Sequence, residues 1–334
     1  MKAIAPGKII LSGEHAVVYD KPALVMAVNR YAEANISGNG DSRVHFELVD
    51  FDENSSLTIQ ALRELKGRLI RNYQLFLNGE MSIREVLKKP FHLFEFLFIT
   101  FLDGVQLKLD RGVNIRLHSD IPVGGGMGSS AATLLCVLRG LAEYFSLDMK
   151  SEDYFNYGLE AEKLQHGNPS GVDPYTSLHG GFLRFQNKKA EKLASPDMPF
   201  YIINTGSPSS TTGECVDQVA LHFRDSLIWD DFEAVTNEMQ QALLKSDQRE
   251  VQRWISENNR LLTKIGVVPP AIQNFIAEIE KSGGAAKIAG AGSIRGENAG
   301  MVVAFAENIP EQLVERFGYQ VMNVKGDDLG ARIV

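Results

Sequence analysis

The 334 residues carry 34 Lys and Arg against 42 Asp and Glu, a net charge of −8, with 44% hydrophobic and 23% charged residues. This balance is ordinary for a globular chain long enough for two domains, and it excludes nucleic acid as a general partner, because no basic excess exists to neutralise phosphates. Two cysteines, Cys136 and Cys215, lie far apart with no C-x-x-C pair, which excludes a disulfide framework or zinc cluster and suits a reducing compartment.

In chain order, residues 2–11 alternate apolar runs with Pro6-Gly7 and read as an edge strand with a turn. Residues 22–28, 31–37 and 44–49 read as further strands. From 56 to 72 the apolar residues recur at helical spacing. The most apolar window, Phe91 to Leu102, holds 12 residues including His92 and Glu95. A membrane helix needs about 20, so this window predicts a core helix. A strand at 112–119 leads into a glycine-rich loop, followed by a buried helix over 131–145 and a second helix over 152–165. Strands return at 181–185 and 200–204. Helices are predicted at 216–223, 232–245, 251–265 and 270–282, with a small sheet from 300–305 and 320–324. The whole is an α+β chain in two halves, 1–188 and 189–334. With no signal peptide at its start, it is expected in the cytoplasm, with no membrane partner.

The most informative stretch is Ile121-Pro-Val-Gly-Gly-Gly-Met-Gly-Ser-Ser-Ala-Ala132. Four glycines let a backbone approach a ligand closely, and they run straight into a long apolar helix. The helix's first turn carries unpaired N–H groups and the positive end of its dipole, which suits an anion and above all phosphates. The loop matches neither G-x-x-x-x-G-K-[ST] nor G-x-G-x-x-G after a strand, so the common nucleotide folds are disfavoured. The plain alternative is a glycine-rich loop with a serine cap before a buried helix.

Three further segments cluster polar residues. Ala5-Pro-Gly-Lys-Ile-Ile-Leu-Ser-Gly-Glu-His15 contains Lys8, readable also as a solvated edge-strand lysine, and His15, readable as a satisfied loop or core histidine. Glu160 to Asp173 (EAEKLQHGNPSGVD) places Glu162 near a helix C-terminus, where a carboxylate is disfavoured unless a cation offsets it. A solvated acidic face and an ordinary cap at Asp173 are the plain alternatives. Lys287 to Met301 (KIAGAGSIRGENAGM) is a second glycine-rich loop, readable as a flexible hairpin.

Together these segments resemble, in order and spacing, the three motifs of the GHMP small-molecule kinases. The run His166-Gly-Asn-Pro-Ser-Gly-Val-Asp173 is close to the string in those members that phosphorylate mevalonate. The resemblance implies a two-domain fold: an N-terminal α/β domain like ribosomal protein S5 domain 2, and a C-terminal ferredoxin-like domain. It implies transfer of the ATP γ-phosphate to the 5-hydroxyl of mevalonate, or to another small alcohol, with Mg²⁺ as cofactor. Gly124, Gly125, Gly126, Met127, Gly128, Ser129 and Ser130 would cradle the ATP phosphates, and Ser130 and Glu162 would bind Mg²⁺. Asp173 would orient or deprotonate the hydroxyl, with Lys8 beside it keeping it ionised. Glu14, His15, Asn168 and Gly292 would meet the substrate, and a homodimer is compatible with the family. The third segment departs from the family's compact glycine run: Gly292 is followed by Ser-Ile-Arg-Gly-Glu-Asn-Ala-Gly300, and Arg295 is read as a phosphate contact.

Overall fold

The computed structural model describes all 334 residues. Strands β1 (Lys2–Ser12) and β2 (Ala23–Gly38) pair antiparallel along almost their whole length. The predicted turn at Pro6-Gly7 is a bulge inside one continuous strand: the register slips there, Tyr31 facing Pro6 and Val28 facing Gly7. Proline lacks the N–H a regular ladder would use, so the irregularity falls at that position. The two strands expected at 22–28 and 31–37 are accordingly a single β2.

Next come β3 (Val44–Leu48), β4 (Glu53–Leu57), α1 (Ile59–Leu77), α2 (Ile83–Val86), α3 (Phe91–Gly104) and β5 (Val113–Ser119). Residues 53–57, whose end was expected to begin a helix, instead extend the edge of β3 antiparallel, and α1 starts after Thr58, whose hydroxyl caps Ala61 N–H. The predicted core helix is α3, with ten of its residues buried. Its Glu95, pushed up by burial, is accommodated by the Ser55 hydroxyl on β4 at 2.5 Å. Helices α4 (Ser129–Tyr144), α5 (Ser151–His166) and α6 (Val172–His179) follow, then the hairpin β6 (Phe182–Gln186) and β7 (Lys189–Leu193).

The second half contains β8 (Tyr201–Asn204), four helices, α7 (Thr212–Phe223), α8 (Ile228–Leu244), α9 (Gln248–Lys264) and α10 (Pro270–Lys281), then β9 (Ala285–Ile288), β10 (Met301–Phe305), α11 (Glu311–Arg316) and β11 (Gln320–Met322). These strands form an antiparallel sheet in the order β11-β8-β10-β9. This is the ferredoxin-like βαββαβ arrangement, with the helical layer inserted after its first strand. The last strand, β12 (Arg332–Ile333), leaves this sheet and pairs with β1 at Ala3 and Ile4. The first sheet therefore runs β12-β1-β2-β5-β3-β4, with β6 and β7 beside the start of β2. Since β7 keeps residues 189–193 in the first sheet, we propose that the halves divide in the 194–200 connection.

One apolar core joins the halves: Ile9, Leu11 and Leu135 from the first belong to the same cluster as Val251, Ile255 and Val303 from the second. No helix is long and apolar enough to cross a membrane.

The returning tail is fastened by a buried carboxylate. Asp327 Oδ1 accepts from Leu329 N–H, Gly330 N–H and the Arg332 guanidinium, and Oδ2 accepts from Tyr31 hydroxyl at 2.7 Å. Removing it strands an arginine and several buried donors. Asp327→Ala is therefore expected to lower the unfolding free energy by about 3 kcal/mol, read by urea denaturation. A loss below about 0.5 kcal/mol would show that the tail is held by its strand pairing alone.

Candidate active site

The glycine loop and the helix it feeds lie at the centre of the molecule. Gly128 adopts φ +70° as the residue that opens α4, and no side chain caps that helix. The first-turn N–H groups are thus left for a ligand. The loop is supported from two sides. From β1, Lys8 N–H donates to Met127 carbonyl at 2.9 Å; from the second sheet, Met301 N–H donates to Gly125 carbonyl at 3.1 Å. The third segment presses against it so closely that a Cβ on Gly290 would stand 3.0 Å from the Cα of Gly126. The two glycine segments are opposite faces of one contact, and the second is no free hairpin.

Lys8 is not a solvated edge lysine. It is 3% exposed, and its ammonium donates to Gly126 carbonyl at 2.9 Å and pairs with Asp173 Oδ1 at 3.1 Å. Asp173 stands in the first turn of α6. A Cβ on Gly128 would sit 3.2 Å from Lys8 Cγ and 3.4 Å from Asp173 Oδ2. The start of α4 therefore abuts the Lys8–Asp173 pair, and only a residue without a side chain fits between them.

Glu162, on α5, lies within the electrostatic reach of this pair. Its carboxyl is pushed up to about 8, first by burial and then by the Asp173 charge, with Lys8 opposing. Burial likewise lowers the His166 imidazole. Ser130 hydroxyl donates to Gln165 Oε1 at 2.7 Å, leaving its lone pairs to accept or coordinate. Nowhere do three or more His, Cys, Asp or Glu side chains gather as a metal site. One carboxylate short of a cation, plus one hydroxyl, is however the partial donor set of a Mg²⁺ that keeps waters and completes its shell with phosphates.

Gly124, Gly126, Met127, Gly128, Ser129, Ser130, Glu162 and Asp173 all line one cleft of about 610 Å³. The same cleft is also lined by Leu48, Phe51, Leu87, Leu93 and Phe94, with Arg84, Lys88 and Lys89. The cleft thus offers an apolar compartment, a cationic flank and a phosphate-sized cradle in one volume.

Several expected site residues stand elsewhere. Gly125 is behind the loop, where a Cβ would strike Met301. Gly292 is buried under Val267 carbonyl, 2.1 Å from where its Cβ would be, so its role is in the turn. Asn168 is exposed and off the cleft wall. Arg295 does not face the phosphate loop: its guanidinium donates to Glu214 Oε1 at 2.8 Å and to Ser209 carbonyl at 3.2 Å. Glu214 is held down at about 2 by Thr211 N–H and Arg295, and Arg84 also pairs with it. The extra residues of the third segment fold outward onto α7.

Glu14 and His15 are buried beside the third segment and do not line the cleft. His15 Nε2–H donates to Ala291 carbonyl at 3.0 Å, and burial depresses its imidazole to about 4. Glu14 pairs with Lys287, which is fully buried and also donates to Ile10 carbonyl. Burial, and then the nearby Lys8 charge, push the Lys287 ammonium down. Sequence reasoning gave Lys287 no role; its signal was a lysine inside the apolar run Ala285-Ala-Lys-Ile288. Arg84, Lys88 and Lys89 were missed too, because an amphipathic surface segment explains them equally well.

The comparisons agree with this geometry. The family model for the GHMP kinases N terminal domain matches residues 92–181, and that for the GHMP kinases C terminal matches 239–294. The mevalonate kinase of Archaeoglobus fulgidus is 32% identical over 87% of this chain and 89% of its own. That of Thermococcus sibiricus is 29% identical over 87% and 86%. The solved mevalonate kinase of Methanococcus jannaschii shares the fold, with a TM-score of 0.81, 23% identity and 98% of each chain covered. The fold and site define an ATP-dependent GHMP kinase. Within that superfamily, the chain belongs to the mevalonate kinase family.

The raised Glu162 carboxyl has a pH signature. Its folded pKa, about 8, lies above the ordinary 4.5, so its contribution to stability is full below 4.5 and is lost as pH rises through 8. Glu162→Gln keeps the shape without the charge. In the ligand-free protein it should therefore melt several degrees above wild type at pH 9 and within about a degree of it at pH 5. Equal melting temperatures at both pH values would mean that Glu162 is already compensated without ligand.

Proposed function

We propose that the chain transfers the γ-phosphoryl group of ATP to the 5-hydroxyl of mevalonate, giving 5-phosphomevalonate. The observation that carries this reading is the abutment of the uncapped α4 N-terminus on the Lys8–Asp173 pair across Gly128. Phosphoryl transfer needs little covalent chemistry from the protein, but it needs the phosphate and the hydroxyl held in line with their charge offset. The loop backbone and the α4 N–H groups cradle the β- and γ-phosphates. Asp173 accepts the hydroxyl hydrogen and takes the proton as the new O–P bond forms. Lys8, paired with Asp173, offsets charge during transfer. Glu162 and Ser130 are the residues that would hold Mg²⁺, which when bound neutralises phosphate charge. The apolar compartment of the cleft suits the nucleotide base.

Glu14 and His15, expected from the resemblance to meet the substrate, lie buried off the cleft wall. Glu14 Oε2 and His15 Nδ1 are buried with no hydrogen-bond partner.

ADP release with Mg-ATP should follow mevalonate and not homoserine or sugars. 5-Phosphomevalonate belongs in the panel because Arg84, Lys88 and Lys89 flank the cleft; turnover with it alone would keep the mechanism and change the substrate. Asp173→Asn should lower kcat by about 10²- to 10⁴-fold while leaving the nucleotide Kd within about threefold. A kcat loss under about fivefold would remove Asp173 from the proton's path.

A further inference from the structure

The two carboxylates of the site are joined by very little chain. Glu162 lies on α5, Asp173 on α6, and between the helices run only residues 167–171. Both ends of this loop are glycines with positive φ, +77° at Gly167 and +87° at Gly171. At each, an aromatic ring occupies the space a side chain would take. A Cβ on Gly167 would lie 2.8 Å from Phe76 Cζ, and one on Gly171 would lie 3.1 Å from Phe155 Cζ.

Phe155 belongs to α5 itself and moves with it. Phe76 comes from the last turn of α1, and Tyr73 stacks on it at 5.8 Å between ring centroids. The Tyr73 hydroxyl donates to Gly167 carbonyl at 2.8 Å across 94 residues of sequence. That carbonyl lies just past the end of α5, where backbone acceptors have run out of intrahelical partners. Upstream, α1 is anchored by Leu62, Leu65 and Leu69, all buried, so its own packing does not depend on Tyr73.

We infer that Tyr73 and Phe76 are positioning residues for phosphoryl transfer: they fix the 167–171 loop from outside and so set the spacing of Glu162 and Asp173. Neither touches the cleft; both act through the backbone of Gly167. The carboxylates are close enough for Asp173 to raise Glu162, and a loop free to shift would let them relax apart and carry Asp173 off the hydroxyl. A misplacement on the order of 1 Å costs far more in rate than in stability. The inference rests on the kinase reading above.

The test is Tyr73→Phe, which keeps the ring and its stacking and removes one hydroxyl, with Phe76→Leu as a second variant. Three readouts apply: amide hydrogen exchange of residues 167–173 in the ligand-free protein, steady-state kinetics with Mg-ATP and mevalonate, and melting temperature. Tyr73→Phe should speed exchange in the loop and lower kcat about tenfold, with KM for ATP within about twofold and Tm within about 3 °C of wild type. Phe76→Leu should act in the same direction. Unchanged loop exchange and kcat overturns the inference. So does a fall in Tm that accounts for the lost activity with both KM values rising together. If the wild type phosphorylates none of the alcohols, the substrate reading fails by itself, and loop exchange still decides whether the clamp exists.

Discussion

A lysine ammonium almost wholly removed from solvent is tolerable only where its charge and its hydrogens are met. Lys8 meets both conditions through Gly126 carbonyl and Asp173, and this one arrangement dictates much of the fold around it. It requires that β1, the loop before α4 and the first turn of α6 converge, although Lys8 and Gly126 are 118 residues apart. It requires glycine where the loop passes, because at Gly7 a Cβ would already stand 3.0 Å from Met127 carbonyl. It also requires that the open edge of β1 beyond β12 be covered. The second half of the chain does this, with Ser12 hydroxyl against Thr236 at 2.7 Å and Lys287 on Ile10 carbonyl.

The charges around Lys8 do not balance within the protein. Asp173 pairs with it directly, and Glu162 resists ionisation first because it is buried and then because the Asp173 charge repels it, with Lys8 opposing. Six residues along the chain from Lys8, Glu14 pairs through one oxygen with Lys287. The site therefore carries one buried carboxyl that only a bound cation can make comfortable, next to uncapped helix N–H groups that call for an anion. A metal-bound polyphosphate satisfies both needs at once, which neither ion does alone. On the proposed function, these electrostatics would couple nucleotide and metal without a preformed metal cage.

The ferredoxin-like half contributes chiefly as a wall. Its Gly290 and Met301 set the height of the phosphate loop, so the stretch between them is constrained at its ends and free in its middle. This explains how the third segment can be longer and more charged than the family's pattern without disturbing the cradle. The contact glycines, Gly290 and Gly300, keep their places, and residues 295–297 stand exposed. There Ser293 hydroxyl binds Arg295 carbonyl at 2.6 Å, and Arg295 joins Arg84 on Glu214. Arg84 belongs to the first half, so the departure from the family's sequence becomes an ion-paired tie between the halves across the mouth of the cleft. Its side chains are more than half exposed, apart from Glu214, so it adds little to the stability of the fold.

What could be read beforehand was what local chemistry determines. The glycine run before an apolar helix, the lysine after Pro6-Gly7 and the acidic residue after the Gly-Asn-Pro-Ser-Gly turn each announce themselves within a few residues. The structure brings Lys8 and Asp173 into contact and sets Glu162 beside them. What could not be read depends on pairing at a distance. Residues 53–57 carry no strand signal apart from β3, and 189–193 none apart from β6. Arg295 was assigned to a phosphate because loop position says nothing of a glutamate 81 residues earlier. Tyr73 was invisible for the same reason: within α1 it is one more half-buried aromatic, and its meaning lies wholly in the carbonyl it reaches on another helix. The residues that hold the chemistry are therefore local in their signal, and those that set its geometry are not.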